Sequence, residues 1–334
     1  MAHRMGRGAA RAGLENGATI RLPQPMSAPD SASSSTGLDL STARLGILGG
    51  SGLYAMDGLE DLRELEIDTP YGKPSDSLRL GRIGDLEVVF LARHGRHHSY
   101  TPTEVPYQAN LWALRSLNVR WILSVSAVGS LQQHLAPLDM VVPDQFIDRT
   151  HHRPHTFFGE GVVAHVTLAD PFCPVLSRIL ADVGESLMPD GRHLHRGGTY
   201  LCMEGPAFST RAESELYRSW GCDVIGMTNH SEARLAREAE IAYSTLAMVT
   251  DYDCWHQDHD AVTVEMVIDN LRANAALAQT IVKAAAERVA AMRPASGAHH
   301  ALRNALMTPK EHVPAATRQR VDLFTAPYWG PFAG

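Results

Sequence analysis

The sequence predicts an α/β fold in a single domain, and three observations carry that prediction. Residues 201–255 read as strand, loop, helix, strand, loop, helix, strand and loop in succession. Such alternation is the pattern of a sheet packed between helices. Polar residues gather where those strands end, which is where ligands bind in α/β sheets. Finally, residues 45–295 contain no internal repeat and no linker.

Composition sets the bounds. At 334 residues the chain suffices for one large α/β domain or two modest ones. A hydrophobic content of 44% with 20% charged residues is that of an ordinary globular protein. The formal net charge of -7, without a basic run, argues against a nucleic-acid partner. No apolar run reaches the length of a membrane span, so no membrane partner is expected. The N-terminus has Arg and small residues but no hydrophobic signal segment, and a cytoplasmic location is expected, a transit peptide being the alternative. Cys173, Cys202, Cys222 and Cys254 are widely spaced without a CxxC pair, as suits thiols in a reducing compartment.

Residues 1–43 mix Gly, Ala, Ser, Pro and Arg without periodicity and predict a disordered extension. Leu45–Leu53 is an apolar strand running into a glycine turn, where backbone N–H groups and the Ser51 hydroxyl can meet an anion. A plain tight turn accounts for GGSG equally well. The dinucleotide fingerprint of a Rossmann dehydrogenase is not continued, because Pro70 and strand-like segments follow in place of a helix.

Strands are predicted at Ser77–Leu80 and Leu86–Leu91, the second ending in Ala92-Arg93-His94-Gly95-Arg96-His97-His98. Arg93 beside His94 suits a phosphate dianion, since a guanidinium grips oxygens in a bidentate way; a solvated basic loop is the other account. The three histidines lack a carboxylate or thiolate at ligand spacing, so no metal is expected. Tyr107–Leu117 has helical periodicity, and the strand Trp121–Val125 meets the strand-end loop Ser126–Ser130. Asp139–Phe146 forms a strand and turn, and residues 148–160 have the composition of a lid or a subunit contact. A helix follows at Val175–Leu187 and a strand at Gly198–Met203.

Thr210 with Glu213 three residues on marks a helix start. After it come the apolar run Val224-Ile225, the polar cluster Met227–Glu232 and a second helix. The strand Tyr243–Val249 then empties into Thr250-Asp251-Tyr252-Asp253. If that strand is central, Asp251 and Asp253 cannot both face water. One becomes a carboxyl kept partly neutral by burial or by its like-charged neighbour, unless the pair is a simple turn or cap cluster. A long Ala-rich helix spans Val262–Met292, with Thr263 as N-cap, and a last helical piece precedes the tail. The expected division is an extension over 1–43, a domain over 44–295 and a C-terminal helix and tail over 296–334.

Eight segments in one order, GILGGSGLY, ARHGRHH, YQANLWAL, SAVGSL, DQFIDRT, EGPAFSTRAE, GMTNHSEA and TDYDCW, resemble the trimeric purine nucleoside phosphorylase family in its S-methyl-5'-thioadenosine branch. The resemblance covers Leu45 to Met292. It implies a mixed, partly barrelled sheet flanked by helices, a homotrimer, and attack of inorganic phosphate on the anomeric carbon with release of the purine. Phosphate is then a co-substrate, and no cofactor is implied.

By the same resemblance, Ser51, Arg93, His94, Ser126, Ala127 (through its N–H) and Thr228 match phosphate positions, while Met227 and Phe208 match ribose positions. Asp251 matches a protonated donor to purine N7, Asp253 an acceptor from the 6-amino group, and Ser209 a residue near the base. His165, supplied by a neighbouring subunit, and Val264 match positions around the 5' substituent. The 6-oxopurine members resemble Phe-Glu-Thr where Phe208-Ser209-Thr210 stands and carry Asn at the place of Asp251, so Ser209 and Asp251 point to an aminopurine substrate. The alternatives are a broader purine nucleoside or S-methyl-5'-thioinosine phosphorylase, and a nucleoside-binding protein without turnover. The chain departs from the family at Thr228-Asn229-His230-Ser231-Glu232, where the family reads Thr-x-x-Pro-Glu. The lost proline and added imidazole bear on phosphate affinity and pH dependence.

Overall fold

The computed structural model describes residues 38–50, 60–256 and 264–333. Its strands are β1 (Arg44–Gly49), β2 (Glu60–Leu65), β3 (Leu78–Ile83), β4 (Leu86–Ala92), β5 (Val119–Ser130), β6 (Met140–Val142), β7 (Gln145–Arg149), β8 (Leu194–Arg196), β9 (Thr199–Met203), β10 (Val224–Gly226) and β11 (Ala242–Asp251). Its α-helices are α1 (Tyr107–Ser116), α2 (Pro174–Leu187), α3 (Arg211–Ser219), α4 (Asn229–Glu238), α5 (Val264–Met292) and α6 (Ala315–Trp329).

The sheet is mixed and turns on β5. It runs β2-β3-β4-β1-β5-β10-β9-β7, and β11 also lies on β5, followed by β6 and β8. The first part of β5 pairs in parallel with β1, and Gly129 and Ser130 at its end pair antiparallel with β10, while β11 runs in parallel along β5 from Trp121 to Gly129. One strand therefore feeds two branches, and residues at its C-terminal half stand where the branches part.

Side-chain alternation explains the layers. Leu45 and Ile47 of β1, with Trp121, Leu123 and Val125 of β5, pack on Leu176 and Leu180 of α2 and Ile281, Val282 and Val289 of α5. Leu48 and Ile122 turn to the other face, against Leu111 and Leu114 of α1, Leu235 and Ala236 of α4, and Phe324 of α6. With both faces covered, the central strands read as continuous apolar runs, and all ten residues of β11 are buried.

Three boundaries differ from the sequence expectation. Ser126–Ser130 is not a loop: it extends β5 to Ser130 because β11 pairs with Ser126 to Gly129 and β10 with Gly129 and Ser130. β11 continues through Thr250 to Asp251, and α4 begins at Asn229, inside the expected polar cluster. β2 and β8 were not expected; neither has an unbroken apolar alternation. The capping box at Thr210 is present, with Glu213 N–H donating to Thr210 Oγ1 at 3.2 Å and Thr210 N–H to Glu213 Oε2 at 2.8 Å. Among the described residues no helix is long and apolar enough to cross a membrane. Ser51 and Thr263 lie outside the described residues.

Candidate active site

The end of β11 supplies the two acids. Its register on β5 slips between Val249 and Asp251, so that Asp251 comes to lie opposite Gly129. Asp251 Oδ2 accepts from Thr250 Oγ1 at 2.7 Å, and Oδ1 accepts from the Asp253 N–H at 2.8 Å. Gly129 is required by this closeness: a Cβ there would stand 2.9 Å from Asp251 Oδ1 and 3.1 Å from Ile225 Cγ2. From α5, Asn270 Nδ2 donates to Thr250 O at 2.6 Å, anchoring the strand end.

Both carboxyls are buried, and burial pushes the pKa of each upward. For Asp251 the charge of Asp253 adds to the rise but is the smallest contribution, while Thr250 and the Asp253 N–H oppose it. Of the two causes the sequence offered, desolvation is the larger. For Asp253 the neighbouring hydroxyls of Ser214 and Ser209 pull the other way. Asp253 adopts a left-handed backbone (φ +52°), and its Oδ2 is buried without a hydrogen-bond partner among the described residues. The nearby hydroxyls of Ser214 and Ser209 lower its pKa, and such an acceptor has capacity for a further donor.

Ser209 joins this group: it is half-buried, next to Asp253, and its carbonyl accepts from Cys254 Sγ at 3.3 Å. Phe208 is brought to the same loop but is 46% exposed.

The phosphate candidates gather at the ends of β4, β5 and β10. Arg93 is buried, and its bidentate edge does not face outward: Nε and Nη2 pair with the two oxygens of Glu232. Nη2 also donates to Ser124 Oγ at 2.6 Å, and Nη1 to Val125 O at 3.1 Å. One Nη1 hydrogen remains without a partner among the described residues, beside Ser126. The fork geometry that motivated Arg93 is therefore used within the protein.

His94 directs Nδ1 at Tyr100 O (2.9 Å), which requires the proton on Nδ1 and leaves Nε2 as an acceptor. Burial, aided by the Arg93 charge, lowers its pKa to about 4, so the ring is neutral near pH 7. Ser126 and Thr228 meet through a relay the sequence did not reveal. Ser126 Oγ lies 3.4 Å from Tyr200 OH, Tyr200 OH donates to Asn229 Oδ1 at 3.3 Å, and Thr228 Oγ1 donates to the same oxygen at 3.2 Å. Ala127 lies between these sites on β5, opposite Met248.

Met227 is half-buried and rests its sulfur on Gly205, where φ is +71° and an added Cβ would stand 2.6 Å from Met227 Sδ. His165 is elsewhere: its side chain is exposed, and its N–H donates to Ala305 O at 2.9 Å on a bridge formed by Ala164 and Leu306. Val264 is the first residue of α5. The expected titratable imidazole at the departure from the family does not titrate near neutrality, because burial holds His230 down at about 4. A cavity of about 520 Å³, lined by His134, His195, Arg196 and Asp223 among others, contains none of the predicted site residues. Among the described residues, no group of three or more His, Cys, Asp or Glu could hold a metal ion.

Residues 44–287 match the model of the phosphorylase superfamily. The chain is 70% identical over 293 residues to an S-methyl-5'-thioadenosine phosphorylase of Prochlorococcus marinus, covering 88% of this chain and 93% of the relative. Among solved structures it is similar to a methylthioadenosine phosphorylase from an antarctic soil metagenomic library, with a TM-score of 0.81, 52% identity, and coverage of 85% of this chain and 99% of the other. It is also similar to a methylthioadenosine phosphorylase from Schistosoma mansoni in complex with adenine, with a TM-score of 0.68, 37% identity, and coverage of 75% and 92%.

Proposed function

Because the chain belongs to the phosphorylase superfamily, we propose that it is a pentosyltransferase that cleaves S-methyl-5'-thioadenosine with inorganic phosphate, giving adenine and 5-methylthioribose 1-phosphate. The similarity to methylthioadenosine phosphorylases supports the reaction. The observation that carries the base assignment is the buried Asp251–Asp253 pair, one oxygen of which has no hydrogen-bond partner among the described residues.

In this reading a phosphate oxygen forms a bond to the anomeric carbon as the bond to purine N9 breaks, and the bonding pair leaves with the base. Electron density then builds on the purine, and Asp251, protonated, donates its hydrogen at N7. Asp253 Oδ2 accepts from the 6-amino group. Phosphate is held on the opposite face by Ser126, Thr228, Ala127 N–H, the free Nη1 hydrogen of Arg93 and Ser51. His94 Nε2, an acceptor, takes the hydrogen of a protonated phosphate oxygen. Met227 and Phe208 pack on the ribose, with Ser209 near the base. Such positioning converts a bimolecular attack into an intramolecular one.

The test is adenine release from S-methyl-5'-thioadenosine with and without phosphate. Release is expected only with phosphate. Equal rates in its absence would make the enzyme a hydrolase and overturn the reading.

The 5' pocket is assigned to Val264 and to His165 of a neighbouring subunit, which makes the active form a homotrimer. The exposed side chain of His165, remote in contact from Asp251, motivates this assignment. Light scattering at assay concentration should give three times the chain mass, and a fully active monomer would refute it.

A further inference from the structure

The guanidinium of Arg153 touches both strand-end segments that the proposed function assigns to the nucleoside. It lies in the irregular stretch after β7 and is buried. Nη2 donates to Met203 O at 3.3 Å and to Glu204 O at 2.7 Å, at the end of β9, from which the chain runs on to Phe208 and Ser209. Nη1 donates to Met227 O at the end of β10. Nε pairs with Glu204 Oε1 at 3.2 Å, and that carboxylate also accepts from Thr103 Oγ1 and from the N–H groups of His151 and His152. Burial alone would raise the Glu204 pKa, but these donors and the Arg153 charge outweigh it and hold it at about 2. Glu204 is thus ionised at neutral pH.

A further contact reaches the next helix. Nη1 lies 3.3 Å from Ser231 Oγ, in the first turn of α4. Ser231 stands where the resembling family reads proline, a residue with no hydroxyl to offer. The hydroxyl ties α4, and with it the Met227-Thr228 corner, to the same guanidinium that fixes Met203 and Glu204.

We propose that Arg153 is a positioning residue for the nucleoside wall, and that Ser231 is its added anchor in this chain. Arg153 touches no reacting atom. It sets the distance between the Met227 corner and the Phe208-Ser209 loop by holding one carbonyl on the first and two on the stem of the second. A planar, five-donor group is suited to this, and an ammonium is not. Arg93 and His94 after β4 and Ser126 and Ala127 on β5 lie on strands that Arg153 does not touch, and of the phosphate candidates only Thr228 adjoins a carbonyl that it holds. This inference rests on the functional reading above.

The experiment measures KM for S-methyl-5'-thioadenosine at saturating phosphate, and KM for phosphate at saturating nucleoside, in the wild type, Arg153→Lys and Ser231→Ala. Arg153→Lys is expected to raise the nucleoside KM by about tenfold or more, since misplacement of the order of an ångström has effects of that size. The phosphate KM should rise much less than the nucleoside KM, because Thr228 is the single phosphate candidate next to a carbonyl that Arg153 holds. Ser231→Ala should move the nucleoside KM in the same direction by roughly two- to fivefold, and it keeps the inference testable if Arg153→Lys does not fold. Equal changes in both constants, or an unchanged nucleoside KM in Ser231→Ala, would overturn the inference. Failure of the functional reading is distinguishable, because the wild type would then release adenine without phosphate or not at all.

Discussion

Asp251→Ala is expected to lower kcat/KM for S-methyl-5'-thioadenosine by about 10²- to 10⁴-fold, the range that general acid catalysis contributes. An ionised carboxylate has no proton to give N7, so the group must be neutral when the base departs. Its burial and its position beside Asp253 favour that state. Asp251→Asn is the more informative change, because the surroundings accept an amide. Its oxygen can take the Asp253 N–H, and its NH₂ can donate to Thr250 Oγ1. The Thr250 hydroxyl is then free to turn its hydrogen to Val128 O, 3.2 Å away. This variant should fold normally, lose turnover on 6-aminopurines and gain relative use of 6-oxopurines. An adenosine-to-inosine preference unchanged from the wild type would show that Asp251 does not read the base.

The second large effect is on stability. Glu232→Gln should lower the melting temperature by roughly 10 °C, as followed by circular dichroism. Arg93 and Glu232 are almost inaccessible, with side chains 3% and 2% exposed. Glu232 Oε2 also accepts from Ser124 Oγ at 3.0 Å and from Tyr243 OH at 2.7 Å. The amide can present an oxygen to only one side of the guanidinium. Its NH₂ then faces Nη2, Ser124 and Tyr243, a set of donors oriented for an acceptor. Breaking a buried pair from one side typically costs about 3–5 kcal/mol, and each kcal/mol moves the midpoint of a domain this size by about 2–4 °C. A midpoint within about 2 °C of the wild type would mean that water or a rearranged side chain compensates Arg93.

The sheet, and the strand ends that carry the candidate site, are legible because they follow from local pattern. Tyr243–Val249 announces a buried strand by its apolar run, and Thr210 with Glu213 announces a helix start by chemistry confined to four residues. Asp251 and Asp253 were visible because two acids after such a strand cannot both be solvated. What the sequence could not convey is the identity of long-range partners. Arg93 reads as a phosphate grip until Glu232, 139 positions on, is seen to occupy its fork. Tyr200 and Asn229 sit in an apolar strand and at a helix start, and only folding joins them to Ser126 and Thr228. Arg153 lies in a stretch with no periodicity, so nothing local distinguished it from a surface cation. Ser126–Ser130 reads as a loop because its strand partners, the far end of β11 and the short β10, lie far away in the sequence.

The conformation of Asp253 makes the folded state dependent on what the cell contains. A non-glycine residue at φ +52° and a buried carboxyl oxygen without a hydrogen-bond partner among the described residues each disfavour folding, by about 1–3 kcal/mol. Glycine would relieve the first and an apolar side chain the second, so the aspartate is retained against the interest of stability alone. A molecule that donates to Oδ2 removes the second cost whenever it is bound, and mass action then shifts the chain toward the native form in proportion to the logarithm of its concentration. The fraction unfolded, and with it the exposure to proteases, falls as nucleoside accumulates. In the reading proposed above, substrate supply would then set the lifetime of the enzyme as well as its rate.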